Sequence, residues 1–488
     1  MKFTPLEHYI TASRNNFTLL RLLLALAVIE GHAYAFQARP GQIEPIQSLL
    51  GFDYSGGLAV CVFFFLSGVF VTESMTERKD AAAYVVKRSF RIFPGLFICL
   101  LLSALVIGPV FTTLPLKDYL AHPGTLSYIN TNMALSELSW RLPGVFSESK
   151  YGLNGSLWTL PVEIRLYVVV LAFHLLGVLE RAARVTLAAV ILIYFMHNKG
   201  AAVGLDSSWI KLTYLFLAGM LAATFKKYIP VSGIIAAGCW ALVTVCWGTS
   251  LKAPVTYGAI IYTLTYIFSR PWVTKFVLPG DFSYGVYIYG FVIQQIIAHL
   301  FPMLGPIAHA LVSMLIALAC GALSWYLIEK PSLRFANDLI SLLPSRSESL
   351  SQVRKARQPL LARAILMLAL LSTPQVLLLP QKLNSAPTRK ISDLTILNFG
   401  PNDVSAGIPF NVQPTGESAI WLKASRPVAP DSMIVIGDSR LRTVVSGDVL
   451  TAVVPASLYQ KRGSKQIAIE ELKNGSLTAS IPSVWNVR

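Results

Sequence analysis

"FTLLRLLLALAVIEGHAYAF", residues 17–36, is the stretch whose reading decides the fold class. As a helix it is long enough to cross about 30 Å of hydrocarbon. Yet it carries Arg21, Glu30 and His32. A span that only anchors a protein has no use for these, because an ionisable group at bilayer depth is costly unless it faces a polar interior. Arg21 and His32 lie eleven residues apart. At about 100° per residue they return to nearly one helix face, separated by about 16 Å along the axis. Glu30 points about 200° away from His32, and the sequence assigns it no role.

The rest of the chain follows the same pattern. Of 488 residues 54% are hydrophobic and 14% charged, with a mean hydropathy of +0.57; soluble domains carry roughly 25% charged residues. Apolar runs lie near 17–36, 56–73, 92–112, 157–178, 185–197, 209–225, 231–248, 254–268, 282–301, 305–328 and 364–380. They predict an all-α polytopic membrane bundle, ten core transmembrane helices plus one extra. After residue 391 come short runs rich in Ile, Val and Thr, among them "MIVIGD" and "TAVVP", separated by Gly, Pro, Asp and Asn. This alternation predicts a small antiparallel β-sandwich. The expected parts are a transmembrane domain over 1–340, a basic linker over 341–363, an eleventh helix over 364–380, a connector over 381–390 and the β-sandwich over 391–488.

Lys and Arg decide the orientation. With the N-terminus inside, the basic groups at 78–91, 181–184, 226–227, 270–275 and 330–357 fall on the cytoplasmic side. The outer connections hold only Arg39, Lys117, Arg141, Lys150, Lys199 and Lys252, with Lys211 at a border. Eleven crossings then place the C-terminal domain outside. The net charge of +16 is spread between apolar runs, which argues for cytoplasmic loops and against a nucleic-acid partner. The stretch before Phe17 is polar and mixed and does not read as a cleaved signal. Cys61, Cys99, Cys239, Cys246 and Cys320 lie in or beside apolar runs. They form neither a disulfide framework in the polar region nor a zinc spacing, and no metal is expected.

Three stretches carry candidate chemistry. A His at the outer end of the first span suits general-base work, and an Arg deeper in suits a phosphate or carboxylate. The plainer reading puts His32 at the interface and lets Arg21 snorkel inward. In "NGSLWTLPVEIRLY", residues 154–167, Trp158 suits the membrane interface and Glu163 lies more than a turn deeper, placed to orient a His or hold an acceptor hydroxyl. Pairing with Arg165 is the alternative, although residues two apart on a helix do not face each other. In "YVVKRSFRIFPG", residues 84–95, Lys87, Arg88 and Arg91 either obey the positive-inside rule or clamp the phosphates of a nucleotide-like donor.

Together these stretches resemble the acyltransferase-3 family of membrane acyltransferases. That family carries Arg, ten residues, then His in its first span, as Arg21 and His32 do here. "FFFLSGVF" (63–70), Arg88 to Gly95, "SLWTLPVE" ending on Glu163, "SYGVYIYGFVIQQ" (283–295) and "WYLIEKP" (325–331) follow in the family's order. Each is weak alone, but the order and spacing are specific. The resemblance implies transfer of an acyl group, usually acetyl, from acyl-CoA to a hydroxyl of a carbohydrate, at a bacterial inner membrane. His32 would be general base or acyl relay. Arg21, with Arg88, Arg91 and Lys87, would handle the CoA side. Glu163 would orient His32 or the sugar. Asn154, Ser156, Trp158, Ser283 and Tyr287 would bind substrate. Some members have a further His near the "SYxxYL" core; here Tyr289 and Gly290 stand there, so no second catalytic His is assigned.

"MIVIGDSR" (433–440) superficially resembles the start of an SGNH-type esterase domain. Such a domain needs about 200 residues and a catalytic His, and no His follows His309. A strand ending in a Gly-Asp turn is the simpler reading. The order of segments in 391–488 instead resembles IPT/TIG immunoglobulin-like domains, which implies a module that binds a cell-envelope ligand or positions the acceptor, or else a passive cap. Two other functions stay open. A glycan or acyl-precursor transporter would often show internal repeats, and none is visible. A membrane-anchored glycan-binding protein needs one span, not eleven.

Overall fold

The computed structural model describes residues 4–341 and 390–487, apart from short breaks at 11–13, 39–40, 137, 148, 150, 200–205, 392–393, 414–417, 430–431, 438, 442, 456–457, 461, 474–475 and 481–482. The predicted linker and eleventh helix lie outside the described residues. Two compact units are present, one helical and one of β-strands.

In the helical unit the apolar runs form α1 (Phe17–Gln37), α2 (Ser55–Arg78) and α3 (Ala81–Leu102, continued through a π-helical turn to Phe111). The helix α4 (Leu160–Leu175) follows a 3₁₀ turn at Gly155–Thr159. Next come α5 (Ala182–Lys199), α6 (Ser207–Thr224), α7 (Gly233–Cys246), α8 (Lys252–Phe268), α9 (Ser283–Leu300) and α10 (Pro306–Ser324). Through a second π-helical turn α10 runs on to Ser341. Among the described residues five helices are long and apolar enough to cross a membrane: Phe17–Gln37, Ser55–Arg78, Ala81–Phe111, Gly155–Leu175 and Pro306–Ser341. The third begins a full three turns before the apolar run at 92. Asp80 accepts a hydrogen bond from the Ala83 amide at 3.0 Å and starts the helix early. Asn16 caps α1 in the same way through the Leu19 amide at 3.1 Å.

The helix α1 runs through the middle of the bundle. Leu20, Leu24 and Val28 pack into a core with Val60 and Phe64 of α2. Leu22, Ala25 and Ile29 pack into a second core with Val286 and Ile293 of α9 and Ala317 of α10. Two faces of α1 are therefore buried, one on each core.

The closest helix pair is α2 with α6. Gly68 lies against the Phe216 carbonyl and Gly219 against the Phe65 carbonyl, so the two backbones meet through reciprocal glycines. A Cβ at either position would strike backbone, which cannot swing aside. Gly68→Leu is therefore expected to cost about 3 kcal/mol or more, read as lost yield and a lowered thermal transition in detergent. Gly238→Leu, whose Cβ meets nothing within 4 Å, is the matched control and should leave both unchanged.

In the second unit eight main strands are β1 (Ile396–Gly400), β2 (Ser418–Ala424), β3 (Met433–Ile436), β4 (Thr443–Ser446), β5 (Val449–Val454), β6 (Gly463–Lys473), β7 (Ser476–Ala479) and β8 (Ser483–Val487). One sheet has the order β1-β2-β5-β4, and β5 pairs antiparallel with β2 (Thr451 opposite Trp421). The other is centred on β6, which pairs with β3, β7 and β8. Alternate residues of both sheets, including Ile420, Leu422, Leu450, Ile434, Ile467 and Trp485, form one buried cluster. At "MIVIGDSR" the strand β3 turns at Gly437, with φ +60°, and pairs back on itself through Ile436 and Ser439.

Candidate active site

Two cavities lie along α1. One, of about 150 Å³, is lined by Arg21, Arg88, Arg91, Glu163, Tyr167 and Ser283, among others. The other, of about 230 Å³, is lined by His32, Asp53, Tyr54, Trp158 and Lys211, among others. Val60 and Tyr287 belong to both walls. The Tyr287 hydroxyl is hydrogen-bonded to the Thr159 hydroxyl at 2.8 Å, so a tethered phenol stands between the two spaces.

The first cavity is built on ion pairs between distant parts of the chain. Asp281, just ahead of α9, receives Arg21 Nη2 at 2.9 Å and Arg91 Nη2 at 2.7 Å on one carboxylate oxygen. Its other oxygen accepts the Ser283 hydroxyl at 2.6 Å. Arg91 also donates to Glu329 at 3.1 Å, and Ser324 donates to the same carboxylate at 2.9 Å. Burial works to raise the Asp281 carboxyl, but the Arg91 and Arg21 guanidiniums outweigh it and hold it down at about 2. Arg88 is held by stacking, its guanidinium 5.8 Å from the Tyr84 ring centre and 5.4 Å from that of Tyr167. Arg21 Nε and Arg88 Nε are buried without a hydrogen-bond partner. Such donors suit an anionic or carbonyl-bearing ligand.

The second cavity is less charged. The His32 ring packs edge-on to Phe291, with centroids 5.2 Å apart, and near Tyr54 at 6.4 Å. Its Nδ1 is buried and has no hydrogen-bond partner. On the far wall Asp53 accepts from Lys211 Nζ at 2.8 Å and from the Tyr257 hydroxyl at 2.6 Å.

The expected site residues thus fall into four groups. Arg21, Arg88, Arg91, Glu163 and Ser283 share the first cavity, His32 and Trp158 share the second, and Tyr287 belongs to both. Glu163 stands with the arginines rather than with His32, and its hydrogen bond comes from the Tyr167 hydroxyl one turn along α4. Arg165 does not pair with it; its guanidinium lies 4.5 Å over the Trp209 ring. Lys87, Asn154 and Ser156 line neither cavity. Asn154 donates to the Ile288 carbonyl at 2.8 Å and caps the 3₁₀ turn through the Ser156 amide at 3.2 Å. It therefore fastens the start of α4 to α9. Glu30, which had no role in the sequence, is hydrogen-bonded by the Ser55 hydroxyl at the start of α2.

Sequence reasoning missed Asp281, Glu329, Asp53 and Lys211. Glu329 sits in the "IEKP" segment and Asp281 stands two residues before "SYGVYIY", so a search for partners of the arginines among those segments would have found both. Nothing in the sequence ties Asp53 to Lys211, 158 residues away. No group of three or more His, Cys, Asp and Glu side chains is placed to hold a metal ion among the described residues.

Comparison with known proteins bears on this arrangement. Residues 14–326 match the family described as Acyltransferase domain. An O-acetyl transferase of Shigella phage Sf6 is 28% identical over 365 residues, covering 67% of this chain and 98% of that protein. Nodulation protein 10 of Rhizobium leguminosarum bv. viciae is 27% identical over 374 residues, covering 69% of this chain and 98% of that protein. No solved structure matches the chain.

Proposed function

We propose O-acyl transfer across a membrane as the work of this chain, which belongs to the acyltransferase-3 family. The enzyme is an acyltransferase. The group moved is acetyl in the first instance, since one relative is an O-acetyl transferase. The donor is a cytoplasmic acyl-CoA and the acceptor a hydroxyl of an extracytoplasmic or lipid-linked glycan. The observation that carries this reading is the pair of cavities at different levels of α1, one walled by arginines and one by His32. In the orientation set by Lys and Arg, the arginine cavity faces the cytoplasm and the His32 cavity the outside.

In this scheme Arg21 and Arg88 meet the donor's anionic groups or its thioester carbonyl, with Asp281, itself paired to Arg91, holding Arg21 in place. His32 takes the proton from the acceptor hydroxyl as that oxygen attacks the acyl carbon. The thioester C–S bond breaks, the proton goes to the thiolate by way of the imidazolium or solvent, and the ester and free thiol leave. An acyl-His relay would split the same transfer into two steps. Ten core helices span the membrane in this reading, and the β-rich unit is an immunoglobulin-like sandwich that meets a cell-envelope ligand.

The test is mass spectrometry of envelope glycans and lipids from cells with and without the chain. An acyl mass missing from one glycan when the chain is absent is the expected result, and it names both acyl group and acceptor. Identical spectra in all glycan and lipid fractions would overturn the reading.

A further inference from the structure

A third cavity lies between α6 and α8 and is the largest of the three, about 640 Å³. We propose that it holds the hydrocarbon tail of a membrane-borne acceptor, whose hydroxyl-bearing head group then lies in the His32 cavity. This rests on the reading that His32 serves the acceptor, and it narrows the acceptor to an amphiphile.

The groove is hollowed by small residues. Ala218 and Ala222 on α6 and Gly258 on α8 are among its walls, together with Phe65 of α2. A Cβ at Gly258 would meet nothing within 4 Å. From Ser207 to Ala222 the wall rises about 22 Å, most of the depth of a bilayer's hydrocarbon. That length suits one extended hydrocarbon chain.

Hydrophobicity alone selects nothing here, because surrounding lipid is as apolar as the walls. Selection comes from the outer end. Lys211 lines both this groove and the His32 cavity, and Tyr257, a wall of the groove, bonds to Asp53, a wall of the cavity. The apolar slot and the His32 cavity therefore meet at the Lys211 ammonium and at the Tyr257–Asp53 hydrogen bond. A molecule with its tail in the slot has its polar end at this junction. A tail held there also replaces a bimolecular encounter from water by one at high effective concentration.

The test uses the full-length protein in phospholipid nanodiscs with two photoreactive probes, each carrying a mid-chain diazirine: a hexadecyl glucoside and a polyprenyl-phosphate glucose. Crosslinks from at least one probe should concentrate on the facing turns of α6 and α8, and the better probe identifies the tail. Gly258→Trp and Ala218→Trp should each cut that labelling about tenfold and lower glycan acylation in cells. Gly238→Trp, on open space at α7, is the folding and labelling control, with membrane level and thermal stability measured for all three. Labelling spread over every lipid-facing helix marks bulk lipid and overturns the proposal. So does full glycan acylation by a folded Gly258→Trp or Ala218→Trp chain, which would send the acceptor in from water. Either result leaves the acyl-transfer reading standing; that reading fails only if the unaltered chain acylates no glycan or lipid.

Discussion

His32→Gln should abolish acylation, lowering it by about 10²–10⁴-fold, while the protein remains in the membrane at its usual level. Glutamine keeps much of the imidazole's volume and its capacity to hydrogen-bond, so packing against Phe291 and Tyr54 is largely preserved. What it lacks is a basic nitrogen that can take the proton from the acceptor hydroxyl. Glycan acylation measured by mass spectrometry, normalised to membrane protein, is the readout. Acylation at the wild-type level from a His32→Gln chain would sink the assignment. Asp53→Asn separates proton transfer from the shaping of the cavity: it loosens Lys211 and Tyr257 but leaves the base, so a partial loss is expected.

Asp281→Asn should be nearly as damaging, by a different route. Its carboxylate is shared by Arg21 and Arg91, and Arg91 retains Glu329 when it is lost. Arg21 loses its ion-pair partner in the cavity wall. Leaving a buried charge uncompensated costs about 3–5 kcal/mol, and the lower end applies here because the Arg21 side chain is 32% exposed. The expected result is a lowered thermal transition in detergent together with loss of transfer. Asp281→Glu should recover part of both. Glu329→Gln should lower stability less, since Arg91 keeps Asp281. The pH dependence has a definite sign. The Asp281 carboxyl lies below its unfolded value of 3.8, so its stabilisation is present in full above the ordinary carboxylate range. It is lost only as the pH falls towards about 2. Mild acidification should therefore leave Asp281 paired with Arg21 and Arg91, and any loss of activity between neutral pH and about 5 belongs to other groups.

The helices were legible because a membrane span is set by local composition and length, and each apolar run before 341 appears as a helix. Their ends were less so: α3 begins at Ala81 because of the Asp80 cap, a feature outside the apolar run. Arg21, Arg88, Arg91 and His32 stood out because a charge in an apolar run is visible in one dimension. Their partners did not. Asp281 lies 260 residues from Arg21 and 190 from Arg91, and Glu329 lies 238 from Arg91. Glu163 shows the same limit from the other side. Its depth in α4 was readable, but the choice between the arginines and His32 depended on which face of α4 meets α1.

The sequence by itself determined that the chain is a membrane bundle followed by a β-rich unit, and that Arg21 and His32 lie on one stripe of one helix. These follow from hydropathy and from the 3.6-residue period, which neighbours in the chain decide. Only the tertiary structure decided that the stripe faces two spaces instead of one, that Asp281 joins two arginines, and that a long apolar slot shares Lys211 with the His32 cavity. Ion pairs and cavities are made by side chains far apart in sequence, and no local rule records which of them will meet.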